Sequence, residues 1–558
     1  MRLALLAGVA LSMLAAASAS APSPPDRVAI VVIVDGSSLP DLLAVPELRA
    51  LASRGGIALM NGRTPVRESL VPSLDMHDVS PLPLTNHGID LRKASPAEAA
   101  AEISDFLDRH PQPTLAMLVS TSPSAASAAD GDELGTVIAA WGDPRALLSG
   151  DGEPHALTSD STRRAGVVAT VDPAATVAAW LDHRYYAGAP IERTSEPAPL
   201  DLYRRYLQQR RLAVPIAAAA WTFVTVAGIV GLVVLALRQR LSDRTLAAAA
   251  ALAASLPWLA LALLLAGHLP SLTYATVIPF LLGFVAAGVA FGRWVAARRG
   301  ILVAISWTGW VILAFLGIEA FLGWPAAVTP LAGGGQLDGG RFFGMGNIEI
   351  GLVLGCALFA AQRMRVRTGT ALIAACALVA GSPWTGSNYG AAITLFAASG
   401  LWYAVRRGRP WWAIGLITAL VTVVGMAFVS VMHRYLTARP THVTAFLEHS
   451  AGLSGFVERF VDRLAVGADL VRDNPFALIP VLGTIVLLTI VLRPPASVAE
   501  SFEGRDVWRD AVLVIVLGSI VAYVANDTGA AALGFGFGTA LSGLLDVSLA
   551  TAREKMAA

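Results

Sequence analysis

The chain has 558 residues, of which 55% are hydrophobic and only 15% charged, and its mean hydropathy is +0.61. That balance excludes a soluble globular protein and requires a large part of the chain to lie in lipid. The net charge of +1 leaves no footprint for nucleic acid, and Cys356 and Cys376, both within apolar runs, exclude a disulfide framework or a cysteine metal site.

Residues 1–21 read as a secretory signal: Arg2, the apolar run Leu3 to Ala17, then small residues at a cleavage site. An uncleaved anchor leaves the next domain on the same side of the membrane. Residues 22–205 read as a soluble extracytoplasmic α/β domain, with strands at Val28–Val34, Thr114–Val119 and Gly166–Thr170 and a helix at Leu48–Arg54. The mixture of strand and helix predicts a mostly parallel sheet. Residues 120–133, rich in Ser, Ala and Asp, read as a loop, and Leu200–Arg211 as a helix leading to the membrane.

In this domain the first strand ends in Asp35-Gly36, and the chain continues through Pro46-Glu47-Leu48-Arg49 to Asn61-Gly62-Arg63-Thr64. Near its end, Thr162-Arg163-Arg164-Ala165-Gly166-Val167-Val168 leads into Val171-Asp172-Pro173. This order resembles the alkaline phosphatase superfamily, and the resemblance implies Asp35 as a ligand for zinc or manganese and Thr64 as nucleophile. Where that family carries Asp-His-Gly after a central strand, this chain has Ser120-Thr121-Ser122-Pro123. A two-metal centre needs several Asp or His ligands, and Asp75, His77, Asp78, His87 and Asp90 do not stand at the family's spacing. The domain therefore reads as a metal-less relative that binds a ligand or braces the membrane part; an active metal-dependent phosphohydrolase or phosphotransferase is the alternative.

From 206 to 558 apolar runs near 212–237, 245–266, 271–292, 300–322, 346–362, 369–384, 390–405, 411–431, 475–492, 511–525 and 530–548 predict a bundle of about ten or eleven helices. Those meeting at Ser382–Gly390 and Asn526–Gly529 are short for a crossing and read as broken or re-entrant. Every second loop carries arginines, among them Arg293, Arg298 and Arg299, then Arg363, Arg365 and Arg367, then Arg406, Arg407 and Arg409. Such loops stay cytoplasmic, which puts the C-terminus inside the cell and the first domain outside it. The external segment 433–474 has Leu453, Phe456, Phe460 and Leu464 at helical spacing and reads as amphipathic.

Three polar clusters fall at external span ends: Arg341, Asn347 and Glu349; Ser382 to Gly390, with Ser387 and Asn388; and Asn526 with Asp527. Ionisable groups at such depth face a wet cavity or a protein interior. Their order is similar to the O-antigen ligases and polymerases, which implies a lipid-linked glycan held by arginines, with His433, His442 and His449 as candidate bases. The roles expected are Glu349 or Asp527 as base, Arg341 as anion clamp, and Asn347, Ser387, Asn388 and Asn526 as positioning groups. The expected partners are membrane lipids and an extracytoplasmic lipid-linked or phosphate-bearing intermediate of a bacterial envelope. A transporter or flippase is the other class, with Glu319 and Asp546 as its few ionisable groups.

Overall fold

The computed structural model describes residues 27–35, 37–61, 89–122, 134–169, 172–181, 188–237, 240–331, 337, 343–346, 348–437, 461, 472, 478–526 and 529–557. The signal segment, Thr64, Arg341, Asn347 and Asp527 lie outside them, as do the side chain of Asp35 and the amphipathic segment beyond Thr437, apart from Val461 and Arg472.

The first domain runs β1 (Val28–Asp35), α1 (Leu39–Leu43), α2 (Pro46–Arg54), β2 (Gly56–Asn61), β3 (Ile89–Ala94), α3 (Pro96–Arg109), β4 (Thr114–Ser122), β5 (Gly135–Gly142), α4 (Pro144–Leu147), β6 (His155–Ser159), β7 (Val167–Ala169), α5 (Asp172–Trp180) and β8 (Ile191–Pro197). Serine N-caps with a proline in the first turn start two of the helices: Ser38 caps α1 and Ser95 caps α3. The Ser95 amide donates to Glu98 Oε2 at 2.8 Å, the reciprocal arm of a capping box. β1 is apolar from Val28 to Val34 because the sheet is covered on both faces. Val28, Ile30, Val32 and Val34 enter one core beside α2 and α3, while Ala29 and Val31 enter the other beside α5.

The sheet order is β3-β1-β4-β5-β2-β6-β8, with β7 paired to β2. β1 is parallel to β3 and β4, and β2 to β6 and β7, but β5 is antiparallel to both β4 and β2, and β8 to β6. The sheet is thus mixed, with four parallel and three antiparallel pairings among the described strands. Parallel neighbours need a crossover of helix length, and no described helix stands between β4 and β5, which pair directly. Residues 120–122, expected in the loop, extend β4.

The membrane part begins without a break. Helix α6 (Leu200–Leu237) continues from the domain into the first span as one element of 38 residues, about 57 Å at 1.5 Å per residue. There follow α7 (Asp243–Leu265), α8 (Tyr274–Arg299), α9 (Ile301–Phe321), α10 (Ile348–Ala361), α11 (Val366–Gly381), α12 (Tyr389–Arg406), α13 (Trp411–Tyr435), α14 (Leu478–Leu492), the short α15 (Ala496–Phe502), α16 (Asp506–Ala525) and α17 (Gly529–Ala557). Seven of these helices are long and apolar enough to cross a membrane, and the chain is a multi-pass membrane protein by that measure. α10, α11 and α14 are shorter apolar helices.

α10 and α17 lie at the centre. Gly351 and Gly355 on α10 let the helices touch: a Cβ at Gly351 would stand 2.0 Å from the Ala532 carbonyl, and one at Gly355 would meet Thr539 at 2.4 Å. Small residues four apart are the usual means of close helix contact in lipid, where hydrophobicity gives no drive between helices. α8, α13 and α14 form the perimeter, with Leu282, Leu416, Val423 and Ile485 exposed.

Candidate functional site

The candidate site lies where the first domain meets the bundle. α10 has 14 residues and α11 has 16, about 21 and 24 Å of helix against about 30 Å of hydrocarbon. Arg363, Arg365 and Arg367 sit between them at one end and belong at headgroup level, so the shortfall opens at the other end. That end carries Glu349 at the start of α10 and the turn from Ser382 to Asn388 after α11. The polar turns thus stand at the ends of helices shorter than the hydrocarbon is thick.

Two of the predicted clusters are bonded to each other. Asn388, fully buried, accepts the Ala391 amide at 2.9 Å as the N-cap of α12, and its Nδ2 donates to the Met345 carbonyl at 3.0 Å. The Met345 amide in turn donates to the Gly386 carbonyl at 3.0 Å. Gly344 allows that contact: its φ is +89°, and a Cβ there would stand 2.0 Å from Gly386 O. Ser387 holds φ +46° and donates its hydroxyl to the Pro383 carbonyl at 3.2 Å. The third cluster joins through Gly390, where a Cβ would lie 2.0 Å from Asn526 Oδ1. Asn526 is buried and donates Nδ2 to the Ala522 carbonyl at 2.9 Å, closing the last turn of α16. Glu349 is buried, with its carboxylate packed against the Cα of Gly346. Asn388 and Ser387 are thus occupied in shaping the turn, while Glu349 stands at its edge.

The first domain reaches into this end through the turn between β6 and β7. Arg163, at φ +53°, donates Nη1 to the Pro383 carbonyl and lays its guanidinium over the Phe343 ring, 4.7 Å from the centroid. Arg164 donates to the Gly323 carbonyl at 3.3 Å. Burial at this junction pushes both guanidinium pKa values down; Asp160 opposes the shift at Arg163, and Glu319 at Arg164. Glu319 is itself buried, accepts the Ala326 amide at 3.0 Å and is paired with His268. Trp324, in the left-handed region at φ +59°, donates its indole N–H to the Thr385 carbonyl and so ties the loop after α9 to the turn after α11.

His433, expected as a base in the external loop, is instead on the last turns of α13, fully buried, with Nε2 2.9 Å from the Gly381 carbonyl. The helix simply runs four residues further than the apolar run that marks it. His442 and His449 lie outside the described residues.

A second clasp lies on α6. Arg205 donates Nε to Thr329 Oγ1 at 3.2 Å and also binds the Gly267 carbonyl, Gln209 donates to the Pro330 carbonyl at 3.0 Å, and Gln208 accepts the Leu272 amide at 3.2 Å. Val328 and Leu337 from the loop after α9 enter the domain's own core with Tyr203 and Tyr206. Sequence reasoning missed Arg163, Arg164, Arg205 and Trp324 as groups of this site. The one local signal was a pair of arginines just before Gly166, whose φ is +80°.

Asp35 closes β1 opposite Ser122 across a register shift. Nearby, Ser120 Oγ donates to the Ser37 carbonyl at 2.6 Å. Among the described residues no three His, Cys, Asp or Glu come together. Asp172, in the closing segment of the phosphatase-like pattern, is fully buried and accepts from Ser159 Oγ at 2.5 Å, Ser161 Oγ at 2.6 Å, the Ala169 amide at 2.6 Å and the Ala189 amide at 2.9 Å. It is a knot that holds β6, β7 and α5 together.

Asp546 stands far along α17, towards the arginine-bearing end, 3.2 Å from Arg293 Nη2 on α8. The pair lines a cavity of about 30 Å³ with Thr308 and Ser542, room for one or two water-sized groups. No protein-family model, curated protein or solved structure matches this chain. The resemblances to the alkaline phosphatase superfamily and to the O-antigen ligases rest on the quoted residues alone.

Proposed function

We propose that this protein binds a phosphate-bearing or lipid-linked intermediate of the envelope in the recess between its bundle and its first domain, on the outer face of the cytoplasmic membrane. The meeting of three polar turns from separate helices carries this reading: Met345 to Asn388, and Gly390 to Asn526, beside Glu349. Polar groups at such depth are costly unless they face a polar occupant or each other, and the shortness of α10 and α11 gives an amphiphile a sideways entrance from the leaflet. In this reading Arg341 clamps the anion, Glu349 or Asp527 takes a proton if the intermediate is transformed, and the first domain covers the recess without a metal centre.

The test is native mass spectrometry of the full chain in nanodiscs containing either a polyprenyl phosphate or the matching polyprenol. Retention of the phosphate over the alcohol by about tenfold, lost on Arg341→Ala, is the expected result, since a charge-assisted hydrogen bond is worth about 1.5–3 kcal/mol. Equal retention of the two lipids, or an Arg341→Ala protein that binds as wild type, would sink it.

A further inference from the structure

Towards its arginine-bearing end the bundle encloses the polar cavity that Arg293 and Asp546 share. Arg293 lies six residues before the end of α8 at Arg299, and Thr308 seven residues after the start of α9 at Ile301, which puts both roughly 10 Å along their helices from that end. Arg293 Nη2 and Asp546 Oδ1 stand 3.2 Å apart without hydrogen-bond geometry, and among the described residues neither atom has a hydrogen-bond partner although both are buried. The Thr308 and Ser542 hydroxyls line the same space, and among the described residues neither is committed to another group. Deeper in the bundle, Gly288 lets the Trp258 indole close against α8, since a Cβ there would stand 2.2 Å from the ring. At Gly292, one turn nearer the end, the first atom a Cβ would meet is Thr308 Oγ1 at 3.8 Å. The space is therefore open beside the charged pair and bounded by an aromatic ring below it. Charges at this depth are costly to desolvate, and a misaligned pair does not offset the cost, so packing alone gives no reason for it.

We propose that this cavity is a proton-binding site: Asp546 takes up a proton delivered by water held between Thr308 and Ser542, and Arg293 holds the carboxylate when the proton leaves. Four polar groups around room for one or two waters meet what a buried water requires. In the step an O–H bond forms at the Asp546 carboxylate as one breaks in a hydronium ion from the aqueous phase, and the pair passes from zero net charge to one positive charge. The charge count favours a proton over other small occupants. A metal cation would stand beside a guanidinium with a single carboxylate to hold it, an anion would meet that carboxylate, and the volume admits no organic solute. The groups facing Asp546 across the cavity are few: α7 presents Ala254, Pro257 and Trp258, α9 presents Thr308, α10 presents Phe359, and the one charge is Arg293 of α8. Protonation frees that guanidinium from its acid and with it the ion pair that ties the perimeter helix α8 to the central α17. The proposal is independent of the phosphate reading above and concerns the other end of the bundle.

The experiment is pH-difference infrared spectroscopy of the full chain in nanodiscs, because a protonated carboxyl group has a C=O stretch that its carboxylate lacks. The band missing from Asp546→Asn belongs to Asp546; if that variant fails to fold, Asp546→Glu keeps the acid and identifies the band by its change in frequency. A band that grows with acid through a single midpoint, within the pH range in which the bundle stays folded, bears the proposal out. Arg293→Gln is expected to carry the midpoint to higher pH, at a proton concentration at least about tenfold lower, because the guanidinium favours the ionised form. Arg293→Lys keeps the charge and is expected to titrate near wild type. An Asp546 band that is constant or absent across that range overturns the proposal, and so does a folded Arg293→Gln protein with the wild-type midpoint. Sodium chloride that moves the wild-type midpoint to lower pH, where choline chloride at the same ionic strength does not, assigns the cavity to a metal cation and overturns it as well. If Arg293→Gln does not fold, the wild-type titration and the sodium comparison decide.

Discussion

Asp172 shows what a carboxylate requires when water is excluded: four donors, two hydroxyl and two amide, fill its oxygens. Burial pushes its pKa up against the pull of those donors. Removing the acceptor strands all four, so Asp172→Ala is expected to destabilise the first domain by about 3 kcal/mol or more. Asp172→Asn, which turns one acceptor into a donor facing donors, is expected to cost a similar amount. Limited proteolysis of the full chain against temperature, scored within residues 155–197, measures both; a wild-type profile for either variant would contradict the knot. At this scale the sequence was partly legible. Asp172 was visible within a family-like segment, whereas the importance of Arg163 comes from residues 180 and 220 positions away in the chain, Phe343 and Pro383, which no local pattern reports.

Helix α12 starts where two functions fall on one side chain, since Asn388 caps its own helix and straps Met345. The two separate by substitution. Asn388→Ser retains a capping oxygen and loses the strap, whereas Asn388→Ala loses both, and the capping share is about 1 kcal/mol. Thermal unfolding of the purified protein in detergent is expected to rank wild type above Asn388→Ser above Asn388→Ala. Equal melting of the two variants would mean that the cap contributes nothing. Elements of this kind were well marked in the sequence, because apolar runs of membrane length and the polar breaks at Ser382–Gly390 and Asn526 depend only on local composition. The sense of strand pairing was not, because it depends on the path of the connection. β5 is antiparallel to its neighbour β4, whereas β4 follows α3 and comes back parallel to β1. The continuity of α6 was only half visible: Leu200–Arg211 reads as a helix leading to the membrane, but that it runs unbroken into the first span with Arg205 folded onto the bundle does not show locally.

For the whole molecule, the helices alternate so that the first domain and the polar turns share one end and the arginine loops the other. A membrane-impermeant maleimide is therefore expected to label Glu153→Cys in intact cells and Arg409→Cys only after permeabilisation. Cys356 and Cys376 lie within helices, Cys356 fully buried, so background from the native thiols is low. Labelling of Arg409→Cys in intact cells would invert the arrangement and with it the face on which the recess opens.

The unbroken passage of α6 from domain to membrane fixes an azimuth. In an α-helix each residue turns the chain by about 100° and lifts it about 1.5 Å, so the direction in which Arg163 faces the bundle is set by the number of residues between the domain and the first span. The clasp at Arg205, Gln208 and Gln209 sits one to three turns ahead of Pro215, the place where the helix lacks an amide and bends most easily. Any compliance at the proline therefore falls on the lipid side of the clasp. The domain and the loops it grips would tilt as one body against the bilayer, and the seal between Arg163 and the recess would survive a change in membrane thickness that moves everything beneath it.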